Sequence, residues 1–408
     1  MQRHALILST THDFLLKFEK ENAIRLMHMG YTVHFAANEK EPAYLSNLEA
    51  IKRLGVHFHP IPIARSPFLF RQNFRALKEI VHLLRSIPIS ILHCHTPVGG
   101  VLGRLAGALS KQHPLTVIYT AHGFHFYCGA PLVNHLLYKP IERLLAHLTD
   151  LLIVINDEDD KAARSFHLRK GGRVYKIPGI GLDPVRFSPL GHTARDMIRR
   201  RLCVLPDEFL LIAVGELNHN KNHTAILSAL HSMKQAGTLH NVKLIICGDG
   251  FLKGHLAHTI RSLGLSDIVT LYGHRTDAPA LIGCADALVF PSVREGLGMA
   301  AVEALAMGVP VIAADNRGSR EYLLHKQNGF LCRHDDPRTI EEGILFLQSR
   351  TPQEKKEMNV RCIESARPFE QQYTKAVMRS VYHEADRRTD AACERSAVHK
   401  KSEPHPPA

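Results

Sequence analysis

The amino-acid sequence predicts an α/β protein made of two doubly wound domains, each built on a parallel sheet. Short, continuously apolar runs alternate with stretches of helical periodicity along most of the 408-residue chain. Strands of that kind are typical of parallel sheets that are covered by helices on both faces. The alternation occurs as two series of comparable length, and each series predicts one domain.

Each series contributes five predicted strands. Those of the first series are Ala5–Ser9, Thr32–Ala36, Ile89–His93, Thr116–Ala121 and Leu151–Ile155. Those of the second series are Phe209–Val214, Lys243–Cys247, Ile268–Tyr272, Ala287–Phe290 and Val309–Ala313. The segment between the two series, Ile177–Leu190 (IPGIGLDPVRFSPL), is interrupted by prolines and glycines and is the predicted junction.

These patterns give the domain boundaries. We predict an N-terminal domain over residues 1–180, a C-terminal domain over residues 190–365, and a last helix over residues 366–385 that returns to the N-terminal domain. Residues 386–408 (DRRTDAACERSAVHKKSEPHPPA) are polar, charged and rich in proline at their end. Such a composition predicts a disordered tail.

Composition narrows the class of protein. The formal charge of +12 suits phosphorylated ligands or an anionic membrane face. Nucleic acid is not an expected partner, because no basic run with interleaved aromatics and no zinc-finger or RNA-binding motif occurs. The eight cysteines stand singly, which predicts neither a zinc site nor disulfides and fits a reducing cytosol. No apolar run is long enough for a spanning helix, so we expect a soluble or peripheral protein.

The stretch Glu295–Gly308 (EGLGMAAVEALAMG) follows a predicted strand, and ligands bind beyond the carboxyl ends of parallel strands. Gly296 and Gly298 allow backbone to approach a ligand closely, and a helix from about Gly298 would point its free N–H groups at a phosphate. Glu303, in apolar company one turn later, needs hydrogen-bond donors such as sugar hydroxyls. Alternatively, Ser292–Glu295 forms a capping box, which would place both glycines inside a helix.

Taken together, the motifs of the second half resemble those of a known family. PSVREGLGMAAVEALAMGVPVIA resembles the E-x7-E signature of the retaining GT-B glycosyltransferases of family 4. Residues 215–222 (GELNHNKN), 248–250 (GDG) and 273–277 (GHRTD) are similar to the loops that surround the nucleotide in that family. The resemblance covers essentially the whole ordered chain and implies a GT-B fold, in which two Rossmann-like domains face a cleft.

The resemblance also implies residue roles. Glu303 would accept hydrogen bonds from the ribose, Glu295 would accept them from the donor sugar, and Lys221 would stabilise the leaving diphosphate. The implied nucleotide-binding loop residues are Gly215, Gly248, Arg275, Gly296, Leu297, Gly298 and Met299. Most family members carry arginine where Glu216 stands. Arg294 or His219 could compensate, or Glu216 could be a solvated loop residue, and both interpretations stay open.

In the N-terminal half, His122 follows a predicted strand and matches the T-x-H-G histidine of the family, which implies contact with the donor sugar near the reacting carbon. His93 and His95 have the spacing of a metal-binding pair, but no third ligand is spaced nearby. We expect His95 to line the cleft and His93 to lie in the core. Asp157-x-Asp159 matches a metal motif of the other large glycosyltransferase fold, yet its position after an asparagine predicts a helix start. No metal is expected.

The segments LILSTTHDF, ILHCHTPVGGVLGRLAG and YTAHGFHFYCGAP resemble those of a narrower subgroup of this family. Its members assemble bacterial capsule, exopolysaccharide and other glycans. The resemblance implies a hexosyltransferase that needs no cofactor and moves a hexose or N-acetylhexosamine from a UDP-sugar to a lipid-diphosphate-linked glycan acceptor. We expect it in the cytoplasm, associated with the inner-membrane surface. The basic and aromatic segment Ile63–Pro88 is either a membrane contact or an ordinary core-facing helix.

Two other functions fit the same fold. A UDP-sugar 2-epimerase uses a similar two-domain cleft, and a non-catalytic nucleotide-sugar-binding assembly protein would explain Glu216. The sequence specifies neither the donor sugar and base, nor the linkage, nor the oligomeric state.

Overall fold

The computed structural model describes residues 2–40, 48–110 and 113–401. The chain forms two compact units. The N-terminal unit comprises the described residues of 1–180 and 375–408, and the C-terminal unit comprises residues 181–374. Each unit contains one parallel sheet with helical connections.

The N-terminal unit contains a seven-stranded sheet in the order β3-β2-β1-β4-β5-β6-β7. Its strands are β1 (Arg3–Thr11), β2 (Tyr31–Asn38), β3 (His57–Pro60), β4 (Ile89–His95), β5 (Thr116–Thr120), β6 (Leu151–Val154) and β7 (Arg173–Lys176). All neighbours pair in parallel. The strand order reverses between β1 and β4, which is where doubly wound sheets bind ligands.

The C-terminal unit contains a six-stranded sheet in the order β10-β9-β8-β11-β12-β13. Its strands are β8 (Phe209–Val214), β9 (Val242–Cys247), β10 (Val269–Gly273), β11 (Ala287–Phe290), β12 (Val311–Ala314) and β13 (Gly329–Cys332). Here too all pairs are parallel. The order reverses between β8 and β11, so the loops after these two strands lie side by side.

The helices that connect these strands alternate with them along the chain. Those before the junction are α1 (Lys20–His28), α2 (Leu48–Arg53), α3 (Phe70–Ser86), α4 (Pro97–Ser110), α5 (Leu132–Ala146) and α6 (Asp157–Arg164), with a π-helix at Leu15–Glu19. Those after it are α7 (His192–Arg201), α8 (His223–Gln235), α9 (Lys253–Ser262), α10 (Ala278–Cys284), α11 (Met299–Ala306), α12 (Arg338–Gln348), α13 (Pro352–Ala366) and α14 (Gln371–Lys401), with 3₁₀ turns at Ser319–Glu321 and Arg367–Phe369. Across residues 2–40, 48–110 and 113–401, no helix is both long and apolar enough to cross a bilayer.

All ten predicted strands are present, with ends that differ by a few residues. The structure adds β3 and β7 at the two edges of the first sheet and β13 at an edge of the second. An edge strand has a neighbour on one side only. Accordingly, β3 and β7 contain no fully buried residue, and their sequences (HFHP and RVYK) lack the continuous apolar run on which the prediction depended.

The predicted disordered tail is wrong for residues 386–401, which continue helix α14. Its polar side chains are ordered by partners in the N-terminal unit. Asp386 accepts a hydrogen bond from the Tyr31 hydroxyl at 2.5 Å and forms an ion pair with Arg3. Thr389 donates to the Ser90 carbonyl at 3.2 Å. The remainder of the predicted tail, residues 402–408, lies outside the described residues.

The Asp157-x-Asp159 motif opens helix α6, as the helix-start interpretation predicts. The N-cap is Asn156, whose side-chain oxygen accepts from the Asp159 backbone N–H at 2.8 Å. Asp159 is buried and accepts a further hydrogen bond from the backbone N–H of Phe124 at 3.2 Å. The motif therefore positions the loop that follows β5.

Candidate active site

The loops after β8 and β11 are joined to each other at the point where the strand order reverses. The backbone N–H of Val293 donates to the carbonyl of Asn220 at 2.8 Å, and the Asn220 side chain donates to the carbonyl of Arg294 at 3.0 Å. Asn222 adds a bond to the carbonyl of Pro291 at 3.3 Å. Amide side chains thus fix two loops that the sequence places about 70 residues apart.

The central contact between these loops is an ion pair. Lys221 Nζ lies 2.6 Å from Glu295 Oε1, and both side chains are largely buried. Lys221 Nζ also lies 4.7 Å from the centre of the Phe290 ring, at the end of β11. The structure thus brings together two of the predicted site residues. A fixed cation suits a phosphate, and the adjacent carboxylate suits a hydroxyl.

The capping-box interpretation of Ser292–Glu295 is wrong. Helix α11 begins at Met299, with Gly298 as the N-cap residue. Within the described part of the chain, the buried Ser292 hydroxyl has no hydrogen-bond partner. Gly298 has φ +90°, and a Cβ there would lie 2.8 Å from the Phe290 ring. Glycine is therefore needed at the start of this helix for both conformation and space.

The glycines after β8 and β9 allow two loop backbones to touch. A Cβ at Gly248 would lie 1.8 Å from the carbonyl oxygen of Gly215. A Cβ at Gly215 would in turn lie 3.4 Å from the Lys221 side chain. Gly296 is partly exposed, and Leu297 is buried, so Leu297 can offer a ligand its backbone but not its side chain.

Glu303 lies in α11 between the buried residues Val302 and Ala304. Burial raises the pKa of the Glu303 carboxyl to about 7, and the positive charge of Arg186 opposes this rise in pKa. A carboxylate in such surroundings needs donors. Arg186 was not predicted, because it lies in the predicted junction and belongs to no motif.

The predictions for Glu216, His219 and Arg275 have different outcomes. Glu216 is partly exposed and has no side-chain ion pair with another described residue, as expected for a solvated loop position. His219 packs against Phe251, with ring centres 5.4 Å apart. Arg275 is exposed and forms a bidentate pair with Asp277 at 2.8 and 2.6 Å. Arg275 thus lies in the loop after the edge strand β10, and its predicted nucleotide contact remains a prediction.

A loop after β12 supports the Glu295 loop and was not predicted. The Asn316 side chain donates to the carbonyl of Ser292 at 3.1 Å, and Arg317 Nε donates to the carbonyl of Glu295 at 3.2 Å. A Cβ at Gly318 would lie 2.7 Å from the carbonyl oxygen of Leu297. These contacts are made mainly to backbone atoms. Because every residue has such atoms, no side-chain pattern in the sequence predicts the contacts.

Tyr322 is a second residue that the sequence did not predict. Its side chain is 4% exposed, and its hydroxyl has no hydrogen-bond partner among the described residues. Burial, together with the negative charge of Glu295, raises the pKa of this hydroxyl well above its usual value. The position that a Cβ at Gly298 would take is 3.1 Å from the hydroxyl. Tyr322 thus presents a neutral O–H at the predicted sugar end of the site.

In the N-terminal unit, His122 lies in a cluster of rings after β5. His122 Nε2 is 3.3 Å from His95 Nδ1, and the ring centres of His122 and Phe14 are 5.4 Å apart. Burial lowers the pKa of His122 to about 4, so this imidazole is neutral at physiological pH. The side chain of His122 remains partly exposed.

The prediction that His93 lies in the core is confirmed, whereas the prediction that His95 lines the cleft is wrong. Both side chains are buried, so His95 does not line a cleft. The two ring nitrogens of His93 pair with the hydroxyls of Tyr382 and Thr120, each at 2.8 Å. A third polar group does lie nearby, contrary to the prediction, because Glu19 Oε2 is 3.6 Å from His95 Nε2. Glu19 is separated from both histidines in sequence, so spacing could not reveal it.

Comparison with known proteins agrees with this geometry. Residues 195–368 match the family described as "Glycosyl transferases group 1", and residues 5–156 match the family described as "Glycosyl transferase 4-like". The chain is 40% identical to "Putative glycosyltransferase EpsD" of Bacillus subtilis (strain 168) over 76% of this chain and 77% of the relative. It is 27% identical to the UDP-Gal:alpha-D-GlcNAc-diphosphoundecaprenol alpha-1,3-galactosyltransferase of Escherichia coli, over 65% and 68% of the two chains.

Solved structures show the same architecture. Anabaena Alr3699/HepE, crystallised with UDP and glucose, superposes with a TM-score of 0.72 at 17% identity over 94% of this chain and 99% of that one. WaaG, a glycosyltransferase involved in lipopolysaccharide biosynthesis, superposes with a TM-score of 0.70 at 18% identity over 94% and 98%. The motifs, the two Rossmann-like sheets and the family matches lead to one conclusion: the chain belongs to the group 1 glycosyltransferases and has the GT-B fold.

Proposed function

We propose that this protein transfers a sugar from a UDP-sugar to a hydroxyl of a lipid-diphosphate-linked glycan during the assembly of a surface polysaccharide. The observation that carries the proposal is the Lys221–Glu295 pair, held between the loops after β8 and β11. The pair places a cation that can bind a diphosphate beside a carboxylate that can accept hydrogen bonds from sugar hydroxyls. The chain also belongs to a glycosyltransferase family.

The donor and acceptor classes are supported by relatives. The Escherichia coli relative is named for UDP-Gal and for a diphosphoundecaprenol-linked sugar. A relative from Staphylococcus aureus, 25% identical over 70% of this chain, is named as a capsular polysaccharide biosynthesis glycosyltransferase. The fold neighbour Alr3699/HepE holds UDP and glucose in its crystals. A hexose or an N-acetylhexosamine on UDP is therefore the donor that we propose.

The mechanism that we propose retains the anomeric configuration and uses no protein nucleophile and no metal. The bond between the anomeric carbon and the phosphate oxygen breaks, the acceptor oxygen bonds to that carbon on the same face, and the acceptor proton passes to the departing phosphate. Lys221 and the backbone N–H groups at the start of α11 stabilise the negative charge that builds on the leaving group. Glu303 holds the ribose, Glu295 holds the sugar hydroxyls, and His122 contacts the donor sugar.

We also propose that the N-terminal unit docks on an anionic membrane, where a lipid-linked acceptor resides. Helix α3 buries Ala76, Ile80 and Leu84 but exposes Phe70 and Phe74 at its start. Exposed cations accompany these aromatics on the same segment: Arg71, Arg75 and Lys78. The two interpretations of this segment are therefore compatible, since one face packs on the core and the other is basic and aromatic.

Helix α5 has a second exposed apolar face that no sequence pattern had predicted. Its largest exposed side chains are Leu132 and Leu136, at 80% and 78%. Leu144, eight positions after Leu136, is 70% exposed as well. Large contiguous apolar patches mark interaction sites, and lipid is the partner that the proposed acceptor favours.

A transfer assay tests the catalytic proposal. The full-length protein is incubated with UDP-glucose, UDP-galactose, UDP-GlcNAc or UDP-GalNAc and a GlcNAc-diphosphate-lipid acceptor, and products are identified by mass spectrometry. We expect a product that is heavier by one sugar with one of these donors, and its formation should be about 10²–10³-fold slower with Lys221→Ala. Conversion of the UDP-sugar to its 2-epimer without acceptor would instead identify an epimerase. UDP binding with no reaction on any donor would favour a non-catalytic assembly protein.

Sedimentation with vesicles tests the membrane proposal. The protein should sediment with vesicles that contain phosphatidylglycerol and remain in solution with phosphatidylcholine alone. Phe70→Ser combined with Phe74→Ser, or Leu136→Ser combined with Leu144→Ser, should reduce the bound fraction several-fold. Val360→Ser, an exposed apolar side chain of α13 in the C-terminal unit, is the matched control. Equal binding by all variants would contradict the assignment of these helices.

A further inference from the structure

Three side chains of the N-terminal unit form a row that ends at His122. Glu19 comes from the π-helix, His95 is the last residue of β4, and His122 lies in the loop after β5. His122 Nε2 is 3.3 Å from His95 Nδ1, and His95 Nε2 is 3.6 Å from Glu19 Oε2. Glu19 is 4% exposed and His95 is fully buried. The row thus connects a buried carboxyl to the histidine that we assign to the donor sugar.

The inner end of the row is incomplete without Glu19. His95 Nε2 has no hydrogen-bond partner within the described part of the chain. A buried ring nitrogen without a partner destabilises the fold, and the Glu19 carboxyl lies 3.6 Å from it. The π-helical turn Leu15–Glu19 brings the carboxyl to this position. π-Helical turns are rare in proteins overall, but many of those that occur lie at functional sites.

We propose that Glu19 and His95 are positioning residues for His122, and that the protonation state of Glu19 decides which ring nitrogen of His122 carries its proton. The row thereby determines whether His122 Nδ1 offers a hydrogen-bond donor or an acceptor to the sugar. This inference rests on the proposed function, in which His122 contacts the donor sugar.

The two arrangements follow from the fact that a neutral imidazole has one N–H and one bare nitrogen. In the proposed row, Glu19 moves slightly closer than the 3.6 Å that now separates it from His95 Nε2, and when protonated it donates to that nitrogen. His95 then donates through Nδ1 to His122 Nε2, and His122 carries its proton on Nδ1, as a donor.

When Glu19 is ionised, every hydrogen bond of the row reverses. His95 Nε2–H donates to Glu19, His122 Nε2–H donates to His95 Nδ1, and His122 Nδ1 becomes an acceptor. Between the first arrangement and the second, the Glu19 proton moves to His95 Nε2 and the His95 Nδ1 proton moves to His122 Nε2. The third proton, on His122 Nδ1, is released.

Burial favours the first arrangement near neutrality. It raises the pKa of Glu19 to about 8, although the Asn22 amide, which donates to Glu19 at 2.8 Å, opposes this rise in pKa. Burial also lowers the pKa of His122 to about 4 and that of His95 below its ordinary value, so both rings stay neutral. The reversal of the row is therefore expected near pH 8.

Three further titratable groups face the row from the elements packed around it. Burial lowers the pKa of His93 to about 3 and raises the pKa of the Tyr382 hydroxyl well above its usual value, so both are neutral. The third is Arg25 of α1, whose positive charge acts on Tyr382. Glu19 is thus the member of this group that titrates between neutral and mildly alkaline pH.

A metal ion is the competing explanation for the same cluster. Glu19, His93 and His95 have potential ligand atoms within 4.8 Å of one another. However, both nitrogens of His93 already pair with hydroxyls, at 2.8 Å each. Binding a metal would break one of these bonds, whereas the proton row requires no such change.

Nuclear magnetic resonance of the full chain with ¹⁵N-labelled histidine tests the proposal without any sugar donor. His122→Gln and His95→Gln assign the two rings, and the tautomer of His122 is followed from about pH 6 to pH 9.5. We expect the Nδ1–H form at pH 7 and a change to the Nε2–H form with a midpoint near pH 8. In Glu19→Gln the tautomer should not change with pH. His34→Gln, which alters a separate, partly buried pair with His59, should behave like wild type.

A wild-type His122 tautomer that is constant across this range would overturn the proposal, and so would an unchanged transition in Glu19→Gln. If Glu19→Gln does not fold, loss of the transition in His95→Gln provides the same test. One equivalent of zinc bound by wild type but not by Glu19→Gln would also overturn it. The readout requires neither donor nor acceptor, so the proposed transfer can fail while this inference stands.

Discussion

The candidate functional residues of the two units differ in the charge that they carry. In the C-terminal unit, a full positive and a full negative charge stand together, Lys221 and Glu295, between loops fixed by backbone contacts. In the N-terminal unit, His122 belongs to a row of groups that burial keeps neutral near pH 7. The first arrangement can bind a phosphate through charge, whereas the second can only direct a hydrogen bond. Under the proposed function, UDP binding therefore depends on the charges of the C-terminal unit, and His122 of the N-terminal unit acts in the transfer step.

The largest expected effect comes from removing the cation. Lys221→Ala should lower the transfer rate by about 10²–10³-fold, which is the usual loss when one fixed stabiliser of a developing charge is removed. Lys356→Ala removes an exposed lysine of α13 and is the matched control. Steady-state kinetics measures both. A Lys221→Ala enzyme with wild-type kcat would place charge stabilisation elsewhere.

A smaller effect is expected at Glu303, whose burial disfavours the charged carboxylate that would bind the ribose. Glu303→Gln should weaken UDP binding by about 10-fold, since hydrogen bonds to a charged group are worth about 1.5–3 kcal/mol. Calorimetry measures this loss. Glu364→Gln, on an exposed face of α13, should bind UDP as wild type does.

The same substitution should stabilise the protein in the absence of nucleotide. Folding raises the pKa of Glu303 from 4.5 to about 7, so the native state loses stability as pH rises through that window. Because glutamine does not titrate, the advantage of Glu303→Gln should be absent below pH 4.5 and complete above about pH 7, at up to about 3 kcal/mol. Urea unfolding at pH 5 and pH 8 measures it. An advantage that is equal at both pH values would show that Glu303 is not the titrating group.

The smallest effect concerns the loop itself. Gly298→Ala places a Cβ at φ +90° and 2.8 Å from Phe290, and should cost about 1–3 kcal/mol of stability. Gly254→Ala in α9 meets nothing within 4 Å and should be neutral or stabilising by about 1 kcal/mol. Thermal unfolding compares the two. Equal melting temperatures would mean that the Gly298 loop relaxes without strain.

The sequence predicted the candidate residues of the C-terminal unit better than those of the N-terminal unit. Glu295, Glu303 and Lys221 lie in local motifs, and the structure places Lys221 beside Glu295. Local motifs suffice there because Glu295 and Glu303 share one strand, loop and helix, and Lys221 lies in the loop of a second such unit, so each could be matched to the family motifs that it resembles. By contrast, Glu19 meets His95 across a fold contact that joins a π-helix to β4. No spacing rule predicts such a contact.

The same distinction explains the remaining differences in the fold. Buried central strands can be recognised in the sequence as apolar runs, whereas the edge strands β3 and β7 cannot. Residues 386–401 have the composition of a tail, yet they are helical because Asp386 and Thr389 find partners on the first sheet. Tertiary partners, which composition cannot show, decided these cases.

Titration calorimetry with UDP tests the division between the two units most directly. The experiment compares wild type, Lys221→Ala and His122→Ala at the same pH and salt concentration. We expect wild type to bind UDP and Lys221→Ala to bind it at least about 10-fold more weakly through loss of a charge-assisted contact. His122→Ala should bind UDP as wild type does while losing transfer activity. Wild-type affinity in Lys221→Ala, or loss of UDP binding in His122→Ala, would contradict these expectations.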